Sequence, residues 1–240
     1  MGGGSFDAGA YRSYSASVKS APIHEVFKSR GLDPALDPKG VKIRESRDAP
    51  PTVGAGTSSV AVVDMRFFTS DLHFNHDNII GYSQRPFRDV EHMNAELVAR
   101  YNAMVGPEDE VYFVGDVFFG RDMEKNKGIL SSMHGTKTLI RGNHDRMSIA
   151  KLTSLGFAEV KAQHILHIGG RLCLLRHYPS LLTDLRHVPE DMEFLIHGHT
   201  HTLEKRQDYR IHIGVDAWNY KPVSEEEVVS LMEDYESGES

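Results

Sequence analysis

The chain has a single cysteine, Cys173, so no disulfide can form within it. Cys173 lies in the apolar run LCLL and reads as a small core residue rather than a nucleophile. No apolar run is long enough to span a bilayer, and the first residues lack the apolar core of a secretory signal. These absences set the expectation of a reducing, cytoplasmic setting without a membrane partner. Positive charge is also short. A formal net charge of -7 argues against a general nucleic-acid or membrane-surface binder, though not against a local basic patch. No internal repeat is visible. The 240 residues are 40% hydrophobic and 25% charged, the balance of an ordinary globular domain with an appendage. Histidine is plentiful, at 14, and imidazole is the commonest metal ligand.

Residues 1–64 differ in composition from the rest. They open on a Gly/Ser/Ala-rich stretch, continue through Pro22, Pro34, Pro38, Pro50 and Pro51, and close on TVGAGTSS. Such a segment buries too little apolar surface to offset its ordering entropy. It reads as a flexible leader or protein-docking segment, with one short helix over His24–Arg30, and equally well as an inert tail. From Met65 the pattern becomes regular. Strands are expected at Met65–Thr69, Glu110–Val114 and Thr138–Ile140. Helices are expected from Asp89 to Met104, over Met123–Met133 and over Ile149–Leu155. A hairpin then turns at Gly169-Gly170, between His164–Ile168 and Leu172–Leu175. Strands at Glu193–Ile196 and Arg210–Val215 follow, and Ser224 with Glu227 forms a capping box for a last helix reaching towards Met232. Alternating strands and helices followed by a strand-rich half predict an α/β domain over 65–240, with two packed sheets and helices outside.

Five polar clusters each follow one of these strands: Asp71/His73, Asp116, Asn143/His144, His177 and His199/His201. In α/β proteins, ligands collect beyond the carboxyl ends of strands, so separate strand ends can feed one pocket. Asp71 and His73, one residue apart on an extended segment, would face the same side. Carboxylates, imidazoles and one amide carbonyl form a mixed nitrogen and oxygen set, suited to Mn, Fe, Zn, Ni or Co rather than to calcium or structural zinc. The donors are too many for one tetrahedral ion and suit two divalent ions, with a carboxylate between them. Each cluster alone has a plain reading: a capped turn for Asp71/His73, a Gly-Asp turn for Asp116, a left-handed Asn143 in a tight loop, a lone His177, and chance or a one-metal site for His199/His201. All five together in this order make those readings improbable.

The ordered set D-x-H, G-D, G-N-H-D, H and G-H-x-H, over about Met65 to Pro222, resembles the calcineurin-like metallophosphoesterase superfamily. SDLHFNHDNIIGYSQRPF and IGVDAWNYKPVS resemble a small bacterial and phage-type subgroup of it. The resemblance implies a four-layer α/β sandwich of two mixed sheets flanked by helices. It implies that Asp71, His73 and His201 hold one metal, that Asn143, His177 and His199 hold the other, and that Asp116 bridges them. A hydroxide shared by the metals would attack phosphorus, and His144, not a ligand, would contact the phosphate or the leaving oxygen. GDVFFGRD and GNHD depart from the G-D-x-x-D-R-G and G-N-H-E of the protein Ser/Thr phosphatases. The expectation is therefore a phosphoester hydrolase acting on a phosphodiester or nucleotide-type small substrate, nucleic acid entering only as substrate. The alternatives are a metal-binding interaction scaffold of the same fold and a protein phosphatase.

The remaining polar residues divide less sharply. Arg85 and Arg141 are candidate contacts for a substrate phosphate, since a guanidinium suits bidentate phosphate binding, or else plain surface and turn residues. Tyr178 and Trp218 are either base-stacking or core and rim aromatics. His167 and His197 read as structural or supporting residues. His76 and Asn78 lie on the first loop but match no ligand position.

Overall fold

The computed structural model describes residues 65–179 and 191–238. The expected leader, its short helix at His24–Arg30 and its docking role lie outside the described residues.

The described residues contain strands β1 (Arg66–Thr69), β2 (Glu110–Phe113), β3 (Thr136–Ile140), β4 (Glu159–Lys161), β5 (His164–Ile168), β6 (Arg171–Leu175), β7 (Phe194–His197), β8 (Arg206–Gln207), β9 (Arg210–His212) and β10 (Val223–Ser224). Helices are α1 (Asp77–Tyr82), α2 (Val90–Asn102), α3 (Met123–Ser131), α4 (Ile149–Leu155) and α5 (Glu225–Ser237), with a 3-10 turn at Val215–Trp218. Two sheets of five strands form, in the orders β10-β1-β2-β3-β4 and β5-β6-β7-β9-β8. Strands β1 to β4 run parallel and β10 antiparallel to β1. In the second sheet β6, β7 and β9 are parallel, with antiparallel β5 and β8 at its edges. Both sheets are mixed and helices flank them, as the sequence pattern predicts.

The central strands lack a polar/apolar alternation because both of their faces are covered. Phe67 and Phe68 show this. Phe67 joins Val111, Phe113 and Leu139 against Met93, Leu97 and Tyr101 of α2, Leu130 of α3, and Leu152 and Leu155 of α4. Phe68 points the other way, with Tyr112, Val114 and Ile140, onto Cys173, Leu175, Ile196 and Ile211 of the second sheet. Each such fully buried side chain contributes roughly 1.5–3 kcal/mol of apolar transfer. Cys173 is one of them, buried and held well above the ordinary thiol range, at about 12, chiefly by burial.

Helix ends follow local chemistry. The Asp89 side chain accepts from His92 N at 2.7 Å and starts α2. Ser224 and Glu227 complete the expected capping box. Helix α5 runs on to Ser237, beyond the predicted Met232, and buries Val228 and Met232 in the core between the sheets. Gly169 and Gly170 both take positive φ, 55° and 82°, and close the β5–β6 hairpin. The last predicted strand is shorter than expected. Pairing stops at His212, and Val215 instead opens the 3-10 turn, which carries Asp216 into the protein.

Parallel pairing puts the carboxyl ends of β1, β2 and β3 along one rim of the first sheet. Those of β6, β7 and β9 lie along one rim of the second. A bridge between Ser70 and Gly214 joins the two rims, and Ser70 Oγ donates to Val114 O at 2.7 Å. Every polar cluster singled out in the sequence falls on these rims.

Candidate metal centre

Backbone geometry sets the site before any side chain does. Asp71, His73, Asp116, His199 and His201 all have left-handed backbones, with φ of 59°, 52°, 55°, 74° and 50°. For residues other than glycine this costs of order 1 kcal/mol each and gathers at functional sites. The sequence reading expects an extended Asp71-x-His73 segment. The structure departs from it, while Asn143, whose plain reading is a left-handed turn residue, has no positive φ. After Thr69 the chain leaves the strand conformation, and hydrogen bonds to the neighbouring loop hold it. Asp71 N donates to Gly115 O and His73 N to Asp116 O, each at 3.0 Å. The Asp71 and His73 side chains converge because two left-handed residues curl the loop, not because of strand alternation.

Two donor groups result. Ligand atoms of Asp71, His73 and His201 lie within 4.8 Å of one another, and so do those of Asp116, His177 and His199. Asp116 Oδ2 stands between the groups, 3.3 Å from His177 Nε2 and 3.8 Å from His73 Nε2. Asn143 Oδ1 faces His177 Nε2 at 3.1 Å, next to the second group. His144 lies beside both, its Nε2 4.0 Å from Asp116 Oδ2 and its side chain 31% exposed, whereas Asp71, His73, Asp116 and His177 are buried.

Backbone and side-chain bonds aim these groups. The Asp116 Oδ1 atom accepts from His144 N at 2.8 Å, leaving Oδ2 for the imidazoles. One oxygen of Asp71, Oδ2, accepts from His199 N at 2.9 Å, while Oδ1 is buried with no hydrogen-bond partner, 3.9 Å from His201 Nε2. His177 Nδ1 contacts Val114 O at 2.8 Å and His201 Nδ1 contacts Asp216 Oδ2 at 2.8 Å. Both acceptors hold a proton on Nδ1, so it is Nε2 of each ring that faces the centre and would serve a cation on losing its own proton. The buried Asp71 Oδ1, without a hydrogen-bond partner, and the converging Nε2 atoms of His73 and His201, 3.2 Å apart, suit a shared cation. On this test the residues fit a pair of divalent metals.

Protonation follows the same contacts. Burial drives His73 down to about 2, keeping it neutral. Burial acts to lower His177 too, but the Asp116 hydrogen bond and the Asp71 and Asp116 charges outweigh it and hold the ring up at about 9. Burial acts to raise Asp116, yet the His177 bond and the His144 N–H keep it ionised, at about 2.

No family model matches this chain. The uncharacterized protein MJ1445 of Methanocaldococcus jannaschii is 33% identical over 177 residues, spanning 70% of this chain and 90% of its own length. The chain belongs to the MJ1445 family. The gene 66 protein of Mycobacterium phage L5 is 31% identical over 197 residues, covering 69% of this chain and 93% of the phage protein. Among solved structures, the Aquifex aeolicus protein AQ665 matches 70% of this chain with all of its own, at 27% identity and a TM-score of 0.57. A more distant match, at 15% identity and a TM-score of 0.39, is an archaeal phosphodiesterase, over 62% of this chain and 82% of that one.

In this member of the MJ1445 family one predicted phosphate contact, Arg85, is corrected. The Arg85 side chain is fully buried. It donates to both carboxylate oxygens of Asp216, at 2.8 and 3.0 Å, and to Asp71 O and Leu72 O. Such a group braces the first loop and has no path to a substrate. Arg141, partly buried, donates through Nε and Nη2 to Asp145 O and through Nη2 to Met147 O, bracing the Gly142–Met147 loop. Trp218 is a core residue, bonded to His212 O, with Lys205 over its ring. Tyr178 is a rim aromatic against His177 and His199. His197 is buried on Gly198 O and stacks on His212. His167 is exposed on β5, away from the centre.

Two residues that carry the site escape sequence reasoning. Asp216 sits in a segment that reads as a strand end. Asp145 closes the GNHD motif but is no ligand. Its carboxylate accepts from Asp116 N at 2.8 Å, Gly142 N at 2.9 Å and Val117 N at 3.2 Å, tying together the loops that follow β2 and β3. A Cβ on Gly142 would lie 2.6 Å from Asp116 N, so only glycine permits this approach. Asp145→Ala should leave three N–H groups unmet and lower the unfolding free energy by about 3 kcal/mol or more, read from urea denaturation. A change below about 0.5 kcal/mol would remove the clamp from the account.

Proposed function

We propose that this protein is a dinuclear-metal-dependent phosphoester hydrolase acting on a phosphodiester or nucleotide-type substrate. Asp71, His73 and His201 would hold one divalent ion, Asn143, His177 and His199 the other, and Asp116 would serve both. The observation that carries the reading is the position of Asp116 Oδ2 between the two imidazole groups. When bound, the ions supply Lewis acidity at phosphoryl oxygens and lower the pKa of water. The protein's own residues do the rest. Asp116 keeps its charge and orients two imidazoles. Asp216 and Val114 O fix the tautomers of His201 and His177. Partly exposed His144, its backbone anchored on Asp116, is placed to contact the leaving oxygen and hold its proton.

Protein stripped with EDTA should be inactive, and manganese should restore hydrolysis of bis-p-nitrophenyl phosphate. A panel of mono- and diesters run with Mn, Ni, Zn and Mg tests reaction class and metal together. Protein that binds metal tightly but turns over nothing in that panel would overturn the hydrolase reading in favour of an interaction scaffold.

A further inference from the structure

Beside His144 lies a groove that the metal centre does not account for. A cavity of about 330 Å³ is lined by Phe119, Gly120, Arg121, His144, Arg146 and Met147. It continues into a second, of about 180 Å³, that shares Arg121, Arg146 and Met147 and reaches Lys151. Arg146 is tied to the ligand-bearing loop through Nε to Asn143 O at 2.9 Å. Among the described residues no carboxylate forms a salt bridge with Arg121, Arg146 or Lys151. The nearest acid in sequence, Asp122, accepts from Lys125 N to cap α3. Three such cations on a chain with a formal net charge of -7 mark this face for anions.

The groove is aromatic as well as basic. Phe119 is 41% exposed although its ring stacks on buried His76, with centroids 3.8 Å apart and planes 8° from parallel. Tyr82, 75% exposed, meets the same His76 edge-on. Large exposed aromatics next to a cationic track are how proteins hold single strands, with bases on rings and phosphates on cations. A small phosphoester would be held at His144 and the metal centre and would leave Lys151 without a role.

We infer that the groove from His144 past Arg121 and Arg146 to Lys151 seats a single-stranded nucleic acid, one base on Phe119 and its phosphates on the three cations. The inference rests on the phosphoesterase reading and names its substrate class. Binding is measured on the full chain in EDTA by fluorescence anisotropy, with a labelled strand of about eight thymidines. Three phosphate contacts predict a slope of about -2 for log affinity against log salt. The Arg121→Ala/Arg146→Ala/Lys151→Ala variant should lose most of that slope. Phe119→Ala should weaken binding roughly tenfold with the slope unchanged. Lys151→Glu, at one exposed position, gives the same reading should the triple variant fail to fold. No binding at about 50 mM salt, or an unaltered slope in the variants, would overturn the inference. Manganese-dependent hydrolysis of bis-p-nitrophenyl phosphate is scored separately. Its loss strikes the hydrolase reading, whereas hydrolysis without strand binding strikes only the groove.

Discussion

Asp116→Asn should abolish metal-dependent phosphoester hydrolysis while leaving the protein folded. The amide keeps an oxygen for the His144 N–H, the contact that orients the loop. Asp145 still holds the backbone N–H groups of residues 116 and 117. What changes is Oδ2. A charged acceptor 3.3 Å from His177 Nε2 and 3.8 Å from His73 Nε2 becomes a neutral amide group in the same place. It can bond to an imidazole but cannot share a cation with it. We expect kcat to fall by a factor of about 1,000 or more, since one group serves both ions. Metal stoichiometry by calorimetry should fall below two per chain, with the circular dichroism spectrum unchanged. Wild-type turnover of the variant with saturating manganese would sink the bridging role.

Asp216→Ala should be the most damaging change away from the metal ligands themselves. Asp216 links buried Arg85 to His201, and its carboxylate stays ionised although burial acts to raise it, because the His201 bond and the Arg85 charge hold it down. Removing it strands the Arg85 guanidinium, whose side chain is fully buried, without a counter-ion. Breaking a buried pair from one side typically costs about 3–5 kcal/mol. The same change frees His201 Nδ1 and the ring orientation with it, so metal affinity should drop about 10- to 100-fold. Asp216→Asn keeps an acceptor but not the charge, and should fall between wild type and alanine in both readouts. Melting temperature and metal affinity that are unmoved in the alanine variant would show that Asp216 neither carries the pair nor positions His201.

The contrast between Asp116 and Asp216 shows how far the sequence can be read. Asp116 is legible because Gly-Asp follows an apolar strand and stands in an ordered series of metal-ligand residue types. Asp216, in IGVDAW, has no such company. Its importance depends on Arg85, 131 residues away in sequence, meeting it in the core. Both readings of Arg85, phosphate contact and exposed turn residue, fail for the same reason. A guanidinium ahead of a turn proline looks like a surface group until the fold closes over it. The local chemistry of the Asp89 and Ser224 caps and of the Gly169-Gly170 hairpin turn was readable because each depends only on neighbours a few residues away.

The sequence by itself determined the two-sheet α/β architecture and the identity of the residues that gather at the centre. Strand periodicity, caps and turns are local, and metal-ligand chemistry is a matter of residue type. The tertiary structure decided how those residues are aimed. Left-handed backbones at Asp71, His73, Asp116, His199 and His201, the Asp145 clamp, the Arg85–Asp216–His201 chain and the basic groove beside His144 all arise where loops from different strands meet. Contacts between segments so distant in the chain have no periodic signature, so only the closed fold reveals them.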